Sequence, residues 1–229
     1  MESSSGGRKK LEADPRVRIA ILSAASKIVR EEGVGALSVS QVLSRAQLST
    51  RAFYRHFDSK DQLVSAVFLD MALVEMLRLR KGMRDTADPV RAVAAWIDGR
   101  LDLAFNDQIR SDLRKVSLEA QSQMFAAPEL VGPAYGEILR PLIEQLRRGM
   151  DLGLFTEVDP DNDALSIQGV VWSSVERHWA TAGGDLAGLR ERVQRFCLRG
   201  LGVAPDSIAA VLADAPNNQQ EVLTDNASG

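Results

Sequence analysis

Ser38, Ser40, Ser49, Thr50, Arg51, Tyr54, Arg55, His56 and Lys60 set hydroxyl, guanidinium, phenol, imidazole and ammonium groups within one short stretch. These are hydrogen-bond donors whose chemistry suits phosphate oxygens and the edges of bases. Arginine adds a planar fork that pairs bidentately with guanine or with a phosphate. A catalytic role for His56 lacks partners: no carboxylate or nucleophile stands at a recognisable spacing, so it reads as a structural group or a phosphate donor. His178 lies beside Glu176, Arg177 and Trp179, where it can meet a ligand, meet a subunit partner or sit satisfied in an interface. Two histidines and the single Cys197 do not make a dedicated metal site, and no cofactor is expected. No phosphate-binding loop, dinucleotide fingerprint, nucleophile elbow or kinase signature occurs. The lone cysteine excludes an internal disulfide framework and fits a reducing, cytoplasmic compartment.

These donors need elements to hold them, and the stretch Ser38–Gln62 carries the signals. Ser38 with Gln41, and Ser59 with Gln62, have the S-x-x-Q spacing of a capping box. Val39, Val42 and Leu43 give a first short helix one apolar face. After a break at Ala46-Gln47-Leu48, Ser49 can cap a second helix, expected over Thr50–Phe57, with Phe53 and Phe57 on its inner side. Two short helices across such a break suit a helix-turn-helix, whose second helix enters the DNA major groove.

Ahead of this stretch, Asp14-Pro15 starts a long support helix that Gly33 and Gly35 end. Val17, Ile21, Ala24, Ala25, Ile28 and Val29 recur along it at helical spacing. Residues 1–13 read as a disordered arm whose cluster Arg8-Lys9-Lys10 either follows a phosphate backbone or is a solvated tail. After the stretch, a helix from Ser59 to Lys81 follows an inner face only loosely, through Leu63, Val67, Leu69, Val74 and Leu77. Its basic end, Arg78, Arg80, Lys81 and Arg84, is expected to complement the helix dipole and face water.

Further helices are expected from Asp88-Pro89 to Asn106, over 109–125, over 129–152, from Asp159-Pro160 to Ala182, and from Leu186 to Leu201. The third of these should kink at Pro141 and become regular after Pro133. A tail from Pro205 holds one short apolar piece, Ile208–Leu212. No alternating strand, hairpin signal or internal repeat is present, so the fold class is all-α, with about nine helices. The expected organisation is an arm over 1–13, a DNA-binding domain over 14–60, a larger helical domain over 61–204 and a tail over 205–229.

Charge supports a division of labour. The chain as a whole carries −3, which argues against a general nucleic-acid binder. Residues 1–60, however, hold 11 Lys/Arg against 6 Asp/Glu, a net of +5, while the remainder holds 17 against 25, a net of −8. A basic first quarter can meet a polyanion while the acidic rest does something else. No apolar run approaches the ~18 residues that span a bilayer, and the N-terminus has no apolar signal-peptide core.

The order of support helix, helix-turn-helix, long linking helix and mixed helical remainder resembles the TetR family of bacterial transcriptional regulators. The resemblance is carried by Leu37-Ser38-Val39, by Ala46-Gln47-Leu48-Ser49, by Phe53-Tyr54-Arg55-His56-Phe57, and by Lys60 with Asp61-Gln62-Leu63. It is specific over residues 15–65; beyond them it rests on helix count and order. Two residues depart from the pattern. Gln47 replaces a glycine just past a helix end, where a left-handed backbone should cost about 1 kcal/mol. Arg51 replaces a glycine inside the recognition helix, so it pairs with guanine or simply holds a phosphate.

The resemblance implies roles. Thr50 and Arg51 would read base edges, with Ser49 and Arg55 exposed beside them. Tyr54, His56 and Lys60 would anchor phosphates, and Ser38 and Ser40 would bring a helix N-terminus to one. The second half would hold an effector pocket drawing on Trp96, Phe105, Met124, Phe125, Tyr135, Trp172 and Trp179, any of which is equally well ordinary core. The two-fold interface of a homodimer would fall on helices 160–182 and 186–202, with Val171, Val175, His178, Val193 and Phe196. The expected function is a ligand-responsive regulator, in this family most often a repressor. It would bind a palindromic operator in double-stranded DNA and be released by an apolar or amphipathic small molecule. The alternatives are a helical enzyme or carrier using the same pocket, against which the lack of an acid/base or nucleophile constellation counts, and a protein–protein adaptor that has lost DNA binding.

Overall fold

The computed structural model describes residues 14–84, 86–105, 118–121, 123, 127–181 and 185–213. Nine α-helices and one 3-10 turn occur among them, with no strand. The chain divides into two compact units, residues 1–72 with 110–135, and residues 73–109 with 136–229.

In the first unit, α1 (Pro15–Glu32) starts where the Asp14 carboxylate accepts the Arg16 N–H at 2.9 Å, with Pro15 in the first turn. Ile21, Ala25, Ile28 and Val29 form its buried stripe. It stops at Gly33, whose φ of 87° suits a residue without Cβ. A 3-10 turn, Val34–Ala36, leads to α2 (Val39–Ala46), then α3 (Thr50–Phe53) and α4 (Lys60–Gly82). Phe53 and Phe57 are buried with ring centroids 5.7 Å apart, and the Arg18 guanidinium lies 5.3 Å over the Phe57 ring. Leu63, Val64, Val67 and Phe68 complete this core from the first half of α4.

Helix α4 corrects the expected inner face. Beyond Ala72 its buried positions are Glu75 and Leu79, while Val74 and Leu77 are 58% and 59% exposed. The sequence pattern misled because a carboxylate occupies a core position. The basic end of α4 also differs from expectation. Arg78 donates to Glu75 and to the Gly99 carbonyl, and Arg80 donates to Glu144 at 2.6 Å, so neither simply faces water.

The second unit is built on α5 (Pro89–Phe105), α6 (Pro128–Asp151, from residue 136), α7 (Pro160–Ala180), α8 (Leu186–Gly200) and α9 (Pro205–Ala213). Trp96, Ile97, Leu101, Leu142, Leu146, Val175 and Leu198 have no exposed surface and form its centre. The Trp96 indole N–H donates to the Ile138 carbonyl at 3.2 Å, which satisfies its one polar atom. Helix α6 runs from Pro128 through both Pro133 and Pro141, so its regular part begins earlier than expected. The ring of Phe155 lies over Gly149, occupying the place a side chain there would take. The apolar piece Ile208–Leu212 lies within α9, whose Ile208 and Val211 are buried in this core.

Candidate nucleic-acid interface

Helix α2 begins at Ser38, whose hydroxyl oxygen accepts the Gln41 N–H at 3.2 Å. The reciprocal half of that capping box is missing, because the Gln41 amide donates to Glu32 at 3.0 Å instead. At its other end, Gln47 has φ 54° and ψ 44°, the left-handed conformation expected for that position. Leu48 N–H donates to the Leu43 carbonyl at 3.0 Å and Gln47 N–H to Ser44 at 3.3 Å, the paired bonds of a Schellman end. The Ser49 hydroxyl oxygen then accepts the Ala52 N–H at 3.3 Å and starts α3.

Helix α3 is shorter than expected: α-helical geometry ends at Phe53, and Tyr54–His56 form a turn. The chain stays tightly wound, with His56 N–H on the Phe53 carbonyl at 2.8 Å and Phe57 N–H on the same oxygen at 3.0 Å. This sharper winding drives Phe53 and Phe57 inward. It leaves Thr50, Arg51, Tyr54 and Arg55 exposed and His56 half-buried. The rings of Tyr54 and Phe53 meet edge to face with centroids 5.2 Å apart, and Tyr54 stays exposed. Lys60 opens α4, fixed by the Ser59 cap on Gln62 N–H at 3.1 Å and by Gln62 accepting from Asp58 N–H at 2.6 Å.

Among the described residues, no side-chain hydrogen bond or ion pair engages Thr50, Arg51, Arg55, His56 or Lys60. Ser38 and Ser49 spend an oxygen lone pair on their caps but keep a hydroxyl hydrogen, and Ser40 is exposed. The unit therefore presents a row of uncommitted donors, three of them on Arg51, Arg55 and Lys60. Arg45 is different: it holds Glu31 and Glu32 at 2.7 Å each, tying α2 to the end of α1. Its hydrogen bond, with desolvation opposing, keeps the Glu31 carboxyl below its ordinary value. The sequence reading missed this clamp, although Glu31-Glu32 facing a cation one helix later was its visible signal.

Part of this geometry is similar to that of known proteins. Residues 21–67 match the family described as bacterial regulatory proteins, tetR family. That match covers the helix-turn-helix and its flanks, and over this stretch the chain is similar to that family. An HTH-type transcriptional repressor of Mycobacterium tuberculosis is 40% identical over 63 residues, 28% of this chain and 33% of that protein. An HTH-type transcriptional regulator of Mycobacterium bovis matches to the same extent. The chain thus spans about a third of the length of these curated relatives. Likeness in fold extends further. A structure of RolR with resorcinol covers 87% of this chain and 94% of its own at TM-score 0.62 and 19% identity. The regulator FadR of Bacillus subtilis with stearoyl-CoA covers 80% and 98% at TM-score 0.60 and 19% identity.

The expected pocket residues scatter. Trp96 is sealed in the core and Trp172 is 8% exposed, its indole N–H donating to Glu176 at 2.9 Å. The Phe105 ring meets His178 edge-on at 4.7 Å. Tyr135 falls in the first unit, where its hydroxyl donates to Gln121. Met124, Phe125 and the Trp179 side chain lie outside the described residues. A groove of about 770 Å³ runs between α7 and α8, lined in part by Val170, Arg177, His178, Leu189, Arg192 and Phe196.

The expected interface residues also need correction. Val171, Val175 and Val193 are 1%, 0% and 3% exposed in the single chain, so they point into its own core. Helix α7 is apolar over a wide arc because it packs on both α5 and α8. Only His178, half-buried in the groove, and Phe196, 65% exposed, remain available to a partner.

The sequence reading missed one more cluster. Glu75, only 2% exposed, receives Arg78 at 2.8 Å and Arg100 at 3.0 Å. Burial pushes the Glu75 carboxyl up, but the Arg78 hydrogen bond and the charge of Arg100 outweigh it and hold it below its ordinary value. Next to it, Arg190 spans Asp98 at 3.3 Å and Asp102. Burial, reinforced by Asp102, raises the Asp98 carboxyl against the pull of Arg190. Three carboxylates and three guanidiniums thus balance inside one unit.

Proposed function

We propose that this protein is a DNA-binding transcriptional regulator, acting as a homodimer on a palindromic operator and released by a mostly apolar small molecule. The observation that carries the reading is the row of uncommitted donors on α3 and its flanks, held on a doubly capped helix-turn-helix. Such a row suits phosphates and base edges, with Thr50 and Arg51 at the start of the recognition helix and Tyr54, His56 and Lys60 toward the backbone. The match to a mycobacterial protein named as a repressor supports repression. Neighbours of the same fold that hold resorcinol and stearoyl-CoA support a small-molecule effector.

Phe196 supports the dimer. An exposed phenylalanine beside a groove on the same face is self-complementary: across a two-fold axis each ring can enter the partner's groove. The test is a footprint on DNA upstream of the protein's own gene, paired with analytical ultracentrifugation. We expect protection of two half-sites about one helical turn apart and a dimer that Phe196→Asp dissociates. Absence of protection on any palindromic sequence in that DNA would overturn the reading.

A further inference from the structure

The buried cluster around Glu75 holds one group that no partner satisfies. Gln168 on α7 is 4% exposed, and its Oε1 accepts from Arg100 Nε at 3.3 Å. That bond fixes the orientation of the amide, since only the oxygen can accept from a guanidinium. The Gln168 Nε2 is consequently left buried with no hydrogen-bond partner. A buried donor without an acceptor is costly, so its retention needs an explanation.

Its surroundings supply one. On α7, Trp172 stands one turn along from Gln168, and on α5, Trp96 stands one turn before Arg100. By helical spacing each tryptophan shares a helix face with its member of the polar pair. Each indole offers only a donor, and that donor is already placed, Trp96 on Ile138 and Trp172 on Glu176, so neither supplies the missing acceptor. The charges nearby are already balanced: Arg100 and Arg78 meet Glu75, and Arg190 meets Asp98 and Asp102. A further full charge would upset this balance, whereas a neutral oxygen would fill the one open donor.

We propose that Gln168 is the polar recognition point of the effector site: its amide N–H donates to a neutral carbonyl or hydroxyl oxygen of an otherwise apolar molecule. The inference rests on the effector-responsive reading above. It also says where occupancy is felt. Gln168 shares Arg100 with Glu75, a residue of α4. Helix α4 is seated closely on α5 there: Arg78 donates to the Gly99 carbonyl at 2.6 Å, and a Cβ at Gly99 would lie 2.7 Å from Leu79 Cδ2. A ligand held by the Gln168 N–H pulls on the same amide whose oxygen holds Arg100, and so bears on the hold on α4, the helix that begins at Lys60 in the recognition unit.

The test uses the full chain and three probes of similar size: acetophenone, with a neutral acceptor; ethylbenzene, with none; and benzoate, with a charge. Calorimetric titration should show acetophenone binding about tenfold more tightly than ethylbenzene, the difference made by one hydrogen bond. Gln168→Met should erase that preference while leaving ethylbenzene unchanged. Gln168→Glu keeps the acceptor for Arg100, and is used if the methionine variant fails to fold by circular dichroism; it should erase the preference as well. Equal binding of acetophenone and ethylbenzene to the wild type overturns the proposal. So does a preference that survives both substitutions, or benzoate binding best of the three. Operator binding without any probe is measured in parallel. If it is absent while the probes discriminate, the regulator reading fails and the site stands; if it is present while they do not, the site fails alone.

Discussion

The arginines of the two units are used in opposite ways. In the recognition unit, Arg51 and Arg55 are exposed and engage no side chain among the described residues. In the second unit, Arg78, Arg100 and Arg190 each hold carboxylates, and Arg100 does so in a dry interior. The residue type is the same, but the free energy is spent at different times. A buried pair has already lost its water and recovered the cost during folding. An exposed guanidinium keeps its water until a phosphate replaces it. Arg45 lies between these cases: it belongs to the recognition unit, yet Glu31 and Glu32 occupy it. Counting basic residues therefore overstates what the first unit offers to DNA, and the partners of each side chain decide.

Substitutions can break or sharpen this contrast. The largest effect is expected from Arg100→Met, which leaves the buried Glu75 with Arg78 alone and the Gln168 oxygen without its donor, and should cost about 3 kcal/mol in urea unfolding. Next comes Arg51→Ala, with an expected loss of about 1–3 kcal/mol in operator affinity if it reads a base. If it holds only a phosphate, affinity falls evenly across sequences and the salt slope drops by about 1. Its unfolding free energy should stay within about 0.5 kcal/mol of wild type, unlike that of the Arg100 variant. Gln47→Gly should stabilise by about 1 kcal/mol, because it removes the left-handed penalty at φ 54°. Arg45→Met should cost less than about 1 kcal/mol, since its partners are partly exposed and screened by water.

Acid titration sharpens the same contrast. The folded Glu75 carboxyl lies below its ordinary value of 4.5. Its contribution is complete above that value and is lost as pH falls toward the folded one. Wild-type melting temperature should therefore fall on acidification over this window. Glu75→Gln should be less stable at neutral pH and show a shallower decline. A variant that declines in parallel with wild type would remove Glu75 from the account.

The recognition unit was legible because local rules determine it. Caps at Ser38, Ser49 and Ser59, the break at Gln47 and the inward Phe53 and Phe57 all act within a few residues of sequence. Even so, periodicity extended α3 to Phe57, where the backbone tightens after Phe53. The second unit was less legible because its partners are distant in sequence. Glu75 reads as a surface residue until Arg100 is placed beside it, and Gln168 until Arg100 reaches α7. The valines of α7 and α8 show the same limit from the apolar side. Their abundance suggested a partner chain, but α5 consumes them within the protomer.

Cys197 carries a practical consequence. It is the sole cysteine of the chain, it is buried, and burial pushes its thiol up to about 12. At neutral pH almost none of it is thiolate, the form that reacts with maleimides or iodoacetamides. A fluorophore or spin label can therefore be directed to a cysteine introduced on α3 or α4 without first removing the native one. Two such labels would report the distance between recognition helices in a dimer, with and without acetophenone, on an otherwise unaltered core.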